Sequence, residues 1–397
     1  MLKNDCVTKL INLESVKFKD IDIQENTIRV LVAPMHDVGV CPKCCRPTLL
    51  LVDIKPKVYR DLNLAGRNCY IEIDLRRFEC RDCFCTFTEP LSFTEPHRHY
   101  TSRFEHQIYE CCQETTATYA ASKFGISDKI AGEIYQRIAK RKQEQLTHLL
   151  PTQVIGIDEI AMHKGHKDFM VVITDITNKR VIDVLKDRKK AALENYMTRW
   201  SEEFKKGIKF VAIDLWGPYR SVVESILPNA KSVADRFHVM QNINKALDNC
   251  RKQAKRESEA QEIWEGAKYV VLKNREDLTE EQEEILTKVL RASESLRACY
   301  EFKESFRSIF NDSINREMAS EKLCTWVLDI LRQEITRYYE FVGTILNWEE
   351  NILNYFEDWV NSGFVEGINN KIKLIKRKAF GFMNFENFRI KIIDCFS

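Results

Sequence analysis

The sequence predicts a multidomain α+β chain in which a cysteine-rich strand module and a helical segment precede an α/β core, with an all-α insertion interrupting that core. Three observations carry this: paired C-x-x-C motifs, strand-like runs that end in Asp158 and Asp214, and a long proline-free helical stretch ahead of a last amphipathic helix. With 397 residues, 44% of them hydrophobic, the chain can bury several cores without disulfide staples. Only 13 Gly and 9 Pro argue against a low-complexity protein. No apolar run approaches the ~18 residues of a spanning helix, and the opening MLKNDCVTKL lacks the apolar stretch of a secretory signal. A cytoplasmic protein with no membrane partner is the expectation. The 61 Lys+Arg nearly cancel the 59 Asp+Glu, so the formal charge of +2 neither indicates nor excludes nucleic acid.

The N-terminal region, residues 1–40, reads as a helix followed by strands. Ten of the 14 cysteines then fall before residue 113, six of them in two tight groups, Cys41-Pro-Lys-Cys44-Cys45 and Cys80-Arg-Asp-Cys83-Phe-Cys85. Two knuckles, each offering two thiolates, suit one tetrahedral Zn²⁺, and Cys41, Cys44, Cys80 and Cys83 are the expected ligands of a single structural zinc. Cys45 and Cys85 are spare thiols able to compete. VYRDL and NCYIEIDLRRFEC, between the knuckles, alternate apolar and charged residues as strands do, so residues 41–95 read as a zinc ribbon-like module. Cys69, Cys111 and Cys112 have no partner spacing and are expected to pack in cores.

Residues 96–150 read as helical. Ala121-Ser-Lys-Phe-Gly125-Ile126-Ser127 has the form of a helix-turn-helix: a small residue where helices approach, glycine in the turn, serine to cap the second helix. Lys129, Gln136, Arg137, Lys140 and Arg141 then decorate a recognition helix and its end.

From residue 151 the texture is that of strands. Val154–Ile157 runs into Asp158, two further strands follow (169–174 and 179–185), a helix (191–206) crosses to Ile208–Ile213 running into Asp214, and a second helix (219–227) leads to a short strand at 232–234. The order β-β-β-α-β-α-β is that of an RNase H-like domain, in which both aspartates reach one edge of the sheet. Neighbouring carboxylates suit a pair of Mg²⁺ ions for phosphodiester chemistry. Glu159, Asp168, Asp175 and Asp183 lie on the same sheet as competing candidates; Asp158 is preferred because its strand is expected to be the most buried and is the first. Asp235-Arg-Phe-His238 follows the fifth strand, and His238 either orients a site carboxylate or packs in a core.

Glu366 is the candidate for a third carboxylate. On a helix through residues 361–378, Phe364, Ile368, Ile372 and Ile375 share the buried face, while Glu366, Asn370, Lys373 and Arg377 share the opposite one, at offsets suited to phosphate contact. Residues 239–360 interrupt this core as a proline-free helical insertion, with Trp264, Trp326, Trp348 and Trp359 as expected core. The insertion holds 17 Lys+Arg and 24 Asp+Glu, a net of −7, which leaves +9 on the remainder. The expected parts are therefore 1–40, 41–95, 96–150, 151–238, 239–360 and 361–397. No glycine-rich phosphate loop or Ser/His/Asp arrangement appears, which argues against nucleotide hydrolysis.

Taken together, CPKC…RRFECRDC…TFTEP, GIDEIAMHKGH, VAIDLWGPYR, ADRFHV and EGINNKIKLIKRKAFGFMNFENFR make the chain resemble, over essentially its whole length, the DDE transposases of bacterial insertion sequences of the ISL-three type. The resemblance implies that Asp158, Asp214 and Glu366 are the catalytic, Mg²⁺-holding residues (two ions per site, with Mn²⁺ able to stand in), supported by Asp235 and His238. It implies cleavage at element ends and joining of the 3′-hydroxyls to target DNA. Arg76, Arg77, Lys129, Arg137 and Lys140 would serve end binding, and Asn370, Lys373, Lys376, Arg377 and Lys378 would meet phosphates near the metals. Double-stranded DNA and a second copy of the chain, in a synaptic homodimer, are the implied partners. A non-catalytic DNA-binding regulator and an RNase H-type RNA nuclease are the alternatives. One departure from the family is local: glycine usually follows each C-x-x-C, where this chain has Cys45 and Phe84.

Overall fold

The computed structural model describes residues 11–145, 150–162, 168–359, 363–379 and 384–396. The expected helix at the start of 1–40, the HKGH of the Asp158 block, Asn361-Ser362 and the FGFM of the last block lie largely or wholly outside these residues. The chain divides into two compact units, Met1–Arg141 and Lys142–Ser397. Among the described residues no helix is long and apolar enough to cross a membrane.

In the first unit, β1 (Val16–Ile23), β2 (Thr27–Pro34), β5 (Leu51–Leu64) and β6 (Arg67–Glu79) form a sheet in the order β1-β2-β6-β5, and β7 (Thr86–Thr88) pairs with the end of β6. The short ribbon of β3 (Gly39–Val40) and β4 (Pro47–Thr48) carries the first knuckle. Period-2 alternation points Ile28, Val30 and Val32 of β2 and Cys69, Ile71 and Ile73 of β6 into one core with Val16, Tyr59 and Phe93. Because β2 pairs in parallel with β6, strands on either side of the expected boundary at residue 40 share a single sheet.

Three helices follow, Ser102–Glu114, Ala117–Phe124 and Asp128–Gln145. Thr101 and Thr116 cap the first two by accepting from the backbone N–H groups of Phe104 and Tyr119. Gly125 ends the second in the left-handed region at φ 66°, which glycine adopts without steric cost. Ser127 Oγ accepts from Ile130 N at 3.3 Å at the head of the third helix, and Ala121 is buried. The turn is built as its sequence predicts.

The second unit holds a sheet of β8 (Val154–Ala161), β9 (Phe169–Asp175), β10 (Arg180–Leu185), β11 (Phe210–Ile213) and β12 (Lys231–Ala234), in the order β10-β9-β8-β11-β12. The pairs β10/β9 and β9/β8 are antiparallel, whereas β8/β11 and β11/β12 are parallel. The expected single crossing helix is two, Lys190–Thr198 and Glu202–Gly207, because Ser201 caps a new start by accepting from Phe204 N. Ile155, Ile157, Val171 and Ile173 pack one face of the sheet against Leu193, Met197, Val222 and Val223. Ile160, Met170 and Val172 pack the other against Ile368 and Ile372 of helix Gly363–Lys378 and Phe388 and Ile392 of helix Phe385–Cys395.

Gly156 makes that second contact possible. A Cβ there would stand 2.6 Å from Thr174 Oγ1 and 2.8 Å from Val365 Cγ2. The missing side chain lets the helix of Glu366 lie close on β8, two residues before Asp158.

The described stretch from Arg236 to Asp358 contains helices and no strand, the longest being Arg236–Glu257, Glu294–Asp312, Arg316–Arg332 and Tyr339–Leu353. Trp264, Trp326 and Trp348 are buried in its core as expected. Trp359 corrects the expectation: it is 46% exposed, its ring set nearly perpendicular to those of Tyr355 and Phe356.

Candidate functional site

The cysteine knuckles are two copies of one turn. Cys45 N donates to Cys41 O and Cys41 N to Arg46 O; Phe84 N donates to Cys80 O and Cys80 N to Cys85 O. The ligand atoms of Cys41, Cys44, Cys80 and Cys83 lie within 4.8 Å of one another. Their Sγ separations include 3.6 Å (Cys41–Cys83), 3.5 Å (Cys44–Cys80) and 3.8 Å (Cys44–Cys83). A regular ZnS₄ tetrahedron with ~2.3 Å bonds has edges of ~3.8 Å, so four thiolates at these separations fit zinc. Cys45 is exposed and outside the group. Cys45 and Phe84 both take left-handed backbone, at φ 58° and 54°, which explains physically why glycine is expected after each knuckle. Cys69 and Cys112 are buried packing residues, and Cys111 is half-buried.

The acidic site grows from strand register. Ile157 of β8 pairs with Ile213 of β11, and Ile213 with Ala234 of β12. Asp158, Asp214 and Asp235 each follow one of these residues, so three adjacent parallel strands deliver three carboxylates in a row. Asp235 also caps helix Arg236–Glu257 by accepting from Phe237 N at 2.9 Å, and the first turn of that helix brings in His238. His238 Nε2 stands 3.7 Å from Asp158 Oδ1 and 4.0 Å from Asp235 Oδ2.

These residues, with Val365, line a cavity of about 10 Å³, space for one water-sized occupant. Asp214 Oδ1 is buried there without a hydrogen-bond partner. Burial pushes the Asp214 carboxyl up to about 6; the His238 charge opposes that rise, and Glu159, Asp158 and Asp235 add to it. His238 is raised above its ordinary range, first by the Asp158 carboxylate 3.7 Å away, against the effect of burial. A second cavity of about 230 Å³, lined by Glu159, Arg188, Trp216 and Asn242, shares Asp214 and His238.

The competing acids have other partners. Glu159 accepts from Tyr219 Oη at 2.9 Å and pairs with Arg188 at 3.1 Å. Asp175 is fully buried on Thr152, Asn178 and Arg180, and Asp183 holds Arg389 through both oxygens. Asp168 lies at the edge of the described residues, where its backbone O accepts from Met162 N.

Glu366 is exposed on helix Gly363–Lys378 and lines a third cavity, of about 330 Å³, with Arg236, Phe237, Asn244 and Arg307. The structure therefore brings Asp158, Asp214, Asp235 and His238 together and sets Glu366 in a separate cavity that shares no lining residue with theirs. Among the described residues, the cysteine quartet is the one His/Cys/Asp/Glu group of three or more whose ligand atoms converge within 4.8 Å, so the acidic site is the more open arrangement.

The sequence reading missed Asn369. Its Nδ2 donates to Asp158 Oδ2 at 2.5 Å, and Asp158 Oδ1 accepts from Glu159 N at 2.7 Å. The buried stripe of the helix is Val365, Ile368, Asn369, Ile372 and Ile375, with Phe364 only half-buried. A polar residue inside an apolar stripe was the available signal.

Of the expected DNA-contacting residues, Asn370, Lys373 and Arg377 are exposed on one helix face, Lys378 is exposed beside them, and Lys129 and Lys140 are exposed on the third helix of the first unit. Four others already have protein partners. Arg76 grips Glu89 and the His36 carbonyl with its side chain only 14% exposed. Arg77 is half-exposed but pairs with Asp53 at 2.9 Å. Arg137 pairs with Glu95 at 3.1 Å and buried Glu105 at 2.6 Å. Lys376 Nζ donates to Ala161 O at 2.8 Å.

With that geometry in hand, comparison with known proteins is direct. Residues 155–392, more than half of the chain, match a transposase family model, that of the ISL3 transposases. Residues 37–83 match the zinc-finger of the IS204/IS1001/IS1096/IS1165 transposases, and residues 89–139 the helix-turn-helix domain of transposase family ISL3. The chain is 23% identical over 378 residues to the transposase for insertion sequence element IS1001 of Bordetella parapertussis, covering 93% of this chain and 92% of that protein. It is 25% identical over 349 residues to the transposase for IS1557 of Mycobacterium tuberculosis, covering 82% and 78%. The zinc-finger match and the four-cysteine cluster support a structural zinc, and the helix-turn-helix match indicates DNA binding. A cysteine-knuckle module, a helix-turn-helix and a carboxylate-edged sheet in this order mark the chain as a member of the ISL3 family of transposases.

Proposed function

We propose that the chain binds the terminal inverted repeats of an insertion sequence, cleaves DNA at the element ends and joins the 3′-hydroxyls to target DNA by two-metal phosphodiester chemistry. The observation that carries this reading is the row Asp158–Asp214–Asp235 around a water-sized cavity, with Asp214 Oδ1 buried and unpartnered. An orphaned buried carboxylate oxygen among carboxylates is a donor set for a hard divalent cation, which fits Mg²⁺. Asp158 and Asp214 would hold it, with Glu366 of helix Gly363–Lys378 as the third carboxylate; when bound, it supplies an activated hydroxyl and stabilises the leaving oxygen.

The chain's own residues do the positioning. Asn369 fixes one oxygen of Asp158, and His238, raised in basicity beside it, holds the other side. Asn370, Lys373 and Arg377 offer phosphate contacts along one exposed face, and Lys378 adds a charge at the end of the same helix. The sheet order supports an RNase H-like core formed by 151–238 with 361–397, and the strand-free helices of 239–358 support an all-α insertion. Pairing two element ends calls for a homodimer on double-stranded DNA in the cytoplasm. Metal-dependent cleavage of an end-containing duplex by Asp214→Asn protein tests the reading. Loss of cleavage with retained duplex binding supports it, full activity of the variant overturns the role of Asp214, and a parent protein that binds the duplex without cleaving it favours the non-catalytic DNA-binding regulator.

A further inference from the structure

A fifth thiol borders the zinc cluster on its Cys41–Cys83 side. Cys85 Sγ lies 3.3 Å from Cys41 Sγ and 3.4 Å from Cys83 Sγ, closer to each than those two are to one another at 3.6 Å. Cys45, the other spare thiol, is exposed and makes no such approach. We infer that Cys85 is a reserve zinc ligand, able to replace Cys83 on the metal without unfolding the knuckle.

The choice of Cys83 as the exchanging ligand follows from burial. Cys41 and Cys80 are completely buried and begin their knuckles, each with its backbone N–H tied across the turn, to Arg46 O and Cys85 O respectively. Cys83 is half-buried, and Phe84 alone separates it from Cys85. Cys44, also half-buried, lies 3.5 Å from Cys80 on the other side of the cluster. A thiol touching both Cys41 and Cys83 sits beside the tetrahedral edge they form. From there it can bond the metal as the Cys83 bond breaks: one Zn–S bond forms, one Zn–S bond breaks, the incoming thiol gives its proton to solvent and the outgoing thiolate takes one up. No oxidant is needed, and the metal keeps four sulfur ligands throughout.

The test uses the full chain, purified with zinc and assayed for metal content. Cys80→Ser should lose its zinc. Cys83→Ser should keep about one equivalent and, reconstituted with Co²⁺, show the absorption of a four-thiolate tetrahedral site; Cys83→Ser/Cys85→Ser should lose both. Zinc loss from Cys83→Ser as complete as from Cys80→Ser overturns the inference, as does a Co²⁺ spectrum that Cys85→Ser leaves unchanged in the Cys83→Ser background. Should Cys83→Ser prove insoluble, the rate of zinc transfer to an excess of a chromogenic chelator decides between the parent and Cys85→Ser. The inference expects transfer at least three-fold slower without the exchanging thiol, and equal rates overturn it.

Discussion

Asn369 donates to Asp158 across 211 residues of sequence, tying the last core helix to the first core strand at the carboxylate row. A neutral donor on Asp158 Oδ2 fixes the carboxylate without competing for a cation. Removing an orienting partner of this kind typically costs 10–100-fold in metal affinity or activity. Asn369→Ala should therefore cleave end-containing duplex about 10–100-fold more slowly, with more Mg²⁺ needed for half-maximal rate. Asn369→Asp should be worse, because it sets a second negative charge against Asp158. Lost activity with an unchanged Mg²⁺ requirement would assign Asn369 to folding alone.

Asp214 gives the site a pH signature in Mg²⁺-free protein. Its carboxyl is pushed up to about 6 by burial, against an ordinary 3.8. The folded state thus holds a proton that the unfolded chain releases, and that contribution is complete below the ordinary value and lost as pH rises through about 6. Asp214→Asn carries no such loss. Above pH 6 it should be more stable than the parent by up to ~3 kcal/mol, a shift of about two units at ~1.4 kcal/mol each, and the difference should close towards pH 4. Urea unfolding at several pH values, without chelator so that zinc stays bound, measures it. Added Mg²⁺ should stabilise the parent and not the variant. A parent equal to Asp214→Asn at pH 7.5 would mean that the buried oxygen carries no penalty.

Much of this was legible because it is local. Strand alternation and apolar runs predict the strand order, with one crossing helix where the structure has two; Asp214 stands where its strand ends, whereas Asp158 lies inside β8, which continues to Ala161 along β9. Ala121, Gly125 and Ser127 specify their turn within seven residues. What sequence could not show depends on partners far along the chain. Arg137 reads as a recognition-helix cation until Glu95, 42 residues earlier, is seen beside it. The spacing of Phe364, Ile368, Ile372 and Ile375 predicts the buried face of the Glu366 helix, yet Val365 and Asn369 are buried with it and Val365 makes the close approach over Gly156. Asn369, on that buried side, is the residue that donates to Asp158. The sheet partnership of β2 with β6 is likewise long-range, and it joins parts that composition separates.

Phe84 should be replaceable with profit to stability. It sits at φ 54° with 77% of its surface exposed, so it bears left-handed strain and buries little in return. Phe84→Gly should stabilise the zinc-loaded protein by ~0.5–1 kcal/mol, the relief of left-handed strain being partly offset by the greater freedom of glycine in the unfolded chain. Phe84→Ala keeps a Cβ in the same backbone and should give no gain. Chelator-free urea unfolding, followed by a probe in the first unit, compares the three. Equal gains from Ala and Gly would locate the effect in the exposed ring rather than in the backbone.

The basic residues of the helix-turn-helix should separate into two kinds. Lys129 and Lys140 are exposed, and the contact of Lys129 with Glu133 is a 4.0 Å surface pair worth little. If both meet phosphates, Lys129→Gln/Lys140→Gln protein should bind duplex more weakly, and its log–log salt slope should fall by about 2, at ~0.9 per phosphate contact. Its unfolding should be unchanged. Arg137 pairs with Glu105, whose side chain is 5% exposed, so Arg137→Gln leaves a buried carboxylate unpaired. That substitution should cost on the order of 3 kcal/mol in stability. At temperatures where the variant stays folded, its salt slope should match the parent's, because Arg137 spends its charge on Glu95 and Glu105. A salt slope reduced by ~0.9 in Arg137→Gln would instead show that the guanidinium leaves those partners for a phosphate when DNA binds.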